Sequence, residues 1–137
     1  MNKSTATTPR LLLALAAACA MALCLLGCSS KPPIEQVVDS VQSSIPDLKA
    51  QYADTYSDIT ITASGSDTIV YTYTYKDAVD AAATATTLDG QKDTLQSTCD
   101  EQVFPAMKQA GVTAPKAQYV FLNPDGSQVW TNTFSAS

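Results

Sequence analysis

Thiols, carboxylates and hydroxyls are the side chains here that could do chemistry, because the sequence contains no histidine. That removes Ser-His and Cys-His nucleophile pairs and imidazole metal ligands. Cys99 lacks a basic partner to lower its pKa, and on an apolar helical stripe it reads as a packing side chain. Carboxylates pair at Asp89/Asp93 and Asp100/Glu101, spacings typical of a solvated helix surface. No Gly-rich phosphate loop and no EF-hand pattern is present, and Asp125-Gly126 belongs to a turn. These residues predict no catalytic site, no metal and no cofactor.

Cys28 stands apart. Residues 1–10 are polar, with Lys3 and Arg10 as the only charges, and residues 11–26 are almost wholly apolar. A positive n-region and an h-region make a secretory signal. The apolar run, about 16 residues, is short of the ~20 that span a bilayer. It closes in Leu25-Leu26-Gly27-Cys28, which resembles a bacterial lipobox. That resemblance implies a diacylglyceryl group on the Cys28 sulfur and cleavage before Cys28. Residues 1–27 are then a signal peptide that is removed, carrying Cys19 and Cys24 with it. Residues 28–33 are the lipidated N-terminus and a short linker, and residues 34–137 one domain.

The mature chain would hold about 110 residues, enough for one modest core. It carries all thirteen acidic residues against six lysines and no arginine, a net charge of −7. Such a surface is a poor partner for nucleic acid, whose phosphates need Lys and Arg. Anionic headgroups would repel it, so the lipid on Cys28 must supply membrane attachment. With Cys28 a thioether, Cys99 is left without a disulfide partner.

The elements come in two similar runs. Ile45-Pro46-Asp47-Leu48-Lys49 matches Phe104-Pro105-Ala106-Met107-Lys108 at an offset of 59. The same offset sets Val70-Tyr71-Thr72 on Val129-Trp130-Thr131, so residues 34–75 and 93–134 read as an internal repeat. Ile34, Val37, Val41, Ile45, Leu48 and Tyr52 recur at helical spacing. Alternation predicts strands over 58–63, 68–75, 117–122 and 128–134. Asn123-Pro124-Asp125-Gly126 is a hairpin turn. As one helix, residues 77–110 would run ~50 Å. A break at Asp89-Gly90 instead gives a short helix over 78–88 and a second from about Lys92, although one long overhanging helix is the alternative. The expected fold is α+β: two αββ units forming a four-stranded antiparallel sheet with helices on one face.

With three-residue hairpin loops, Ile59, Ile61, Ala63, Ile69, Tyr71, Tyr73, Val120, Leu122, Trp130 and Phe134 face the helices. The other face takes Thr60, Thr62, Val70, Thr72, Thr74, Thr131 and Thr133. Tyr119, Phe121 and Val129 fall there too and form the candidate interaction face.

The lipobox, Gln51-Tyr52-Ala53-Asp54, the Thr/Tyr hairpin, Met107-Lys108-Gln109-Ala110-Gly111-Val112 and the Tyr-x-Phe-Leu-Asn-Pro-Asp-Gly hairpin together resemble a family of small lipoproteins of Gram-positive bacteria, a domain of unknown function. The resemblance implies attachment to the outer, extracytoplasmic face of the cell membrane and brings no catalytic residues. The expected function is a membrane-anchored, non-catalytic binding module for a protein or peptide partner. The alternative is an inhibitor or immunity-type lipoprotein that blocks an extracytoplasmic enzyme.

Overall fold

The computed structural model describes residues 31–137. The chain forms α1 (Pro33–Gln42), α2 (Ile45–Gln51), β1 (Tyr56–Ser64), β2 (Thr68–Tyr75), α3 (Ala81–Asp89) and α4 (Lys92–Thr98). A π-helical turn (Cys99–Val103), α5 (Phe104–Ala110), β3 (Lys116–Leu122) and β4 (Gln128–Ser135) follow. Residues 77–110 are thus three α-helices and a π turn. Asp80 caps α3 by accepting from the Ala83 N–H at 2.8 Å. Gly90 ends that helix.

Both prolines sit in the first turn of a helix, Pro46 in α2 and Pro105 in α5. At Pro46 the first-turn N–H has no intrahelical acceptor, so proline loses little there. Ahead of Pro46 the chain leaves the helix at Ser43 and Ser44. Ahead of Pro105 it widens instead, and the Phe104 N–H donates to the Cys99 carbonyl. The π turn gives the ring room against the preceding turn without breaking the helix.

The strands lie in the order β1-β2-β3-β4. The outer pairs are antiparallel, but β2 and β3 are parallel. The sheet is therefore mixed, which corrects the antiparallel expectation, and the reason is one of path length. Residues 33–51 and 92–110 each cover ~28 Å as helix, and an eight-residue strand covers ~26 Å. Each helix–strand–strand run thus crosses the sheet three times and finishes at the end opposite its start. The nine residues of α3, ~14 Å, are too few to carry the chain back. The second run therefore starts where the first stopped, and β3 must run alongside β2. The Lys116 N–H donates to the Asp67 carbonyl at 2.9 Å, closing this junction.

One core fills the space between the sheet and the helices. Ile59, Ile61, Ile69, Tyr71, Tyr73 and Tyr75 enter it from the first hairpin, and Ala117, Tyr119, Phe121, Trp130 and Phe134 from the second. Ile34, Val37, Val41 and Leu48 meet them from α1 and α2, and Leu88, Leu95, Cys99, Val103, Phe104 and Met107 from the helices of the crossover. Gly111 ends α5 at φ +107°, a conformation open to glycine at little cost. A Cβ there would lie 3.4 Å from Pro33 Cγ.

Candidate functional site

The lipobox residues Leu25, Leu26 and Gly27 and the acceptor Cys28 lie outside the described residues. No described helix is long and apolar enough to cross a membrane.

The candidate interaction face is not at the surface. Tyr119 is 1%, Phe121 0% and Val129 7% exposed. The Tyr119 ring stacks on Tyr71 with centroids 4.9 Å apart, and Phe121 stacks on Tyr73 at the same spacing. Phe121 also packs 5.9 Å from Trp130. These rings belong to the core, and the expectation failed by one residue of register. Residues 65–67 make a three-residue turn in the first hairpin, but residues 123–127 make a five-residue turn in the second. That difference of two keeps parity, and Leu122 still faces Gln128 as the 59-residue offset requires; the bulge in β4 then shifts the pairing of β3 by one, and a slip of one reverses every side chain on a strand. Val129 is the extra residue of a bulge: Phe121 faces Trp130, whereas Leu122 faces Gln128. Bulges re-aim side chains, and here Val129 and Trp130 are both buried. Val120 and Leu122, expected inside, are half-buried on the outer face, and Ala63 is exposed near the end of β1.

The outer face is made of Thr60, Thr62, Val70, Thr72, Thr74, Gln118, Val120, Leu122, Thr131 and Thr133, each half-buried or exposed. The two sheet edges carry a device that was not read from sequence. Gln42 Nε2 donates to the Ile61 carbonyl at 2.9 Å on the β1 edge. Gln96 Nε2 does the same to Ser135 at 3.1 Å, on the β4 edge. Each amide occupies a backbone acceptor that another strand would need.

The remaining reactive groups serve structure. Cys99 is fully buried, with its Sγ 3.8 Å from the Tyr119 hydroxyl. Burial pushes its thiol up to about 11, so almost no thiolate is present at neutral pH. Burial also holds the Tyr119 phenol well above its ordinary value. Asp89 accepts from the Trp130 indole at 2.9 Å and pairs with Lys92 at 2.8 Å. Those bonds, Lys92 first, hold its carboxyl below the ordinary value. Asp100 accepts from Gln96 at 3.0 Å, and Asp93 and Glu101 face solvent. Among the described residues no three His, Cys, Asp or Glu side chains are grouped to hold a metal ion.

Charge divides the molecule by its ends. One end gathers Pro33, the first turn, residues 111–116 and the C-terminal residues 135–137. Lys31, Lys108 and Lys116 there are balanced by Glu35, Asp39 and Asp67. The opposite end presents Asp54, Asp77, Asp80 and Asp125 against one lysine, Lys76, all exposed. Asn123 ties that end together, accepting from the Val79 N–H at 2.8 Å and donating to the Val79 carbonyl at 3.2 Å.

No curated protein matches the chain, and no solved structure does. Residues 34–134 match a family described as a domain of unknown function, DUF4854, and since that span covers nearly all of the folded domain, the chain belongs to this family.

Proposed function

We propose that the protein is a lipid-anchored extracytoplasmic domain of the Gram-positive lipoprotein type that works by binding rather than by catalysis. The observation that carries this reading is the lipobox followed almost at once by folded chain. Cys28 lies five residues before Pro33, where α1 begins, so a lipid there would hold the whole domain at the membrane. The buried, protonated Cys99 and the structural engagement of Asp89 and Asp100 support a non-catalytic role. With Tyr119, Phe121 and Val129 in the core, the threonine-rich outer face of the sheet takes their place as the binding surface.

Two measurements test this. Metabolic labelling with a clickable fatty acid should mark the protein and place it in the membrane fraction, and Cys28→Ala should lose both. Crosslinking in intact cells should capture a partner that a Thr72→Asp/Val120→Asp variant loses while staying folded by circular dichroism. Identical capture by both forms would exclude the outer face. The acidic end favours a second reading, an inhibitor of a basic extracytoplasmic enzyme, for which capture should weaken in high salt.

A further inference from the structure

The domain carries information about how it would stand on the bilayer. Lys31 is already fastened to α1: its carbonyl accepts from Gln36 Nε2 at 2.7 Å, and its ammonium pairs with Asp39. Only Ser29 and Ser30 separate it from Cys28. Three Cα steps reach at most ~11 Å, well short of the ~26 Å length of an eight-residue strand. The end holding Pro33 is therefore kept at the headgroups.

A tether alone still allows the domain to lie on its side, and charge decides between the poses. The tethered end sets three lysines against three carboxylates. The rest of the folded chain sets three lysines against ten carboxylates. Lying down would bring that excess within a Debye length, ~8 Å, of an anionic surface. Standing up keeps Asp54, Asp77, Asp80 and Asp125 about a strand length away, where salt screens them. Lys108 is exposed and unpaired among the described residues, and it lines the same end as Thr113, Ala114 and Ser137.

We propose that the end formed by Lys31, Lys108, residues 111–116 and residues 135–137 rests on the lipid headgroups, with the acidic end pointing away from the membrane. This rests on the lipid-anchored reading above. The test uses the mature lipoprotein, reconstituted in phosphatidylglycerol–phosphatidylethanolamine vesicles that carry a headgroup quencher. A fluorophore is placed at exposed Thr113 (Thr113→Cys) or at exposed Ala78 (Ala78→Cys); buried Cys99 should stay unlabelled. Ala114→Cys and Asp77→Cys serve if either variant misfolds. Quenching should be several-fold stronger at Thr113 than at Ala78. A protein that floats with the vesicles but is quenched equally at both sites, or more at Ala78, overturns the orientation alone. A protein that neither floats nor carries acyl mass on Cys28 overturns the anchored reading, and the orientation with it.

Discussion

The two helix–strand–strand halves use the same elements but are not copies in space. In the first, the helical run points away from the N-terminal end and β1 returns; in the second, every direction is reversed. With the helices on one face, no rotation lays one hairpin on the other, because β1 and β3 are both leading strands yet run oppositely. The helix interruptions differ as well. Before Pro46 the break is open, and Ser43 Oγ donates to the Ser40 carbonyl at 3.4 Å. Before Pro105 the chain stays helical and absorbs the ring in a π turn. Local sequence placed the prolines alike.

Register separates the hairpins most sharply, and the largest effects should appear there. Phe121→Ala should cost about 3–5 kcal/mol in urea denaturation, and Tyr119→Ala a similar amount, since both rings are buried. Val120→Ser and Leu122→Ser on the outer face should each cost about 1 kcal/mol or less. The reverse ranking would restore the 59-residue alignment of β3. Gly111→Ala comes next, at about 1–2 kcal/mol, because α5 must end in a left-handed residue beside Pro33. No such residue ends α2, where Tyr52 has φ −113°.

Titration compares the two hairpin turns. Thr68 and Lys116 hold the Asp67 carboxyl low, and Ser127 does so for Asp125. A folded pKa below the unfolded one gives stability that is present above the unfolded pKa and lost as pH falls through the folded one. Acid unfolding should therefore steepen below about pH 4, and Asp67→Asn or Asp125→Asn should each flatten that limb. Burial raises the folded pKa of Cys99, Tyr56 and Tyr119, which works in the opposite sense. Their stabilisation is complete below the unfolded values and should drain away as pH rises from about 9. The smallest expected effect is at the edges: Gln42→Ala and Gln96→Ala should each cost about 1 kcal/mol or less. Dimer formation at high concentration, read by light scattering, should rise more clearly than stability falls.

Much of the fold was legible in the sequence. Periodicity located every strand to within about two residues, and Asp89-Gly90 marked the break between α3 and α4. The Ile59, Ile61, Tyr71 and Tyr73 face was readable because the first turn is short and regular. The second hairpin was not, because its bulge at Val129 hides in an otherwise regular pattern and shifts the parity of β3. The parallel centre was readable in principle from helix and strand lengths, but it depends on tertiary path rather than on any local signal. Of the candidate site, Tyr119, Phe121 and Val129 were misplaced by that same slip. The glutamine edge contacts span 19 and 39 residues, beyond what local patterning can indicate.

Six crossings of the sheet is an even number, so the described chain both enters and leaves at the same end. Ala136 donates to the Pro115 carbonyl at 3.2 Å, which pins the last residues there. The opposite end is made largely of connecting segments, among them residues 52–55, 76–80 and 123–127. A tag or reporter fused after Ser137 would emerge beside the entry point and, on an anchored domain, would be wedged between protein and lipid. One inserted between exposed Asp77 and Ala78 would project away from the lipid. For surface display or affinity capture, an internal insertion at the acidic end is therefore the better construction.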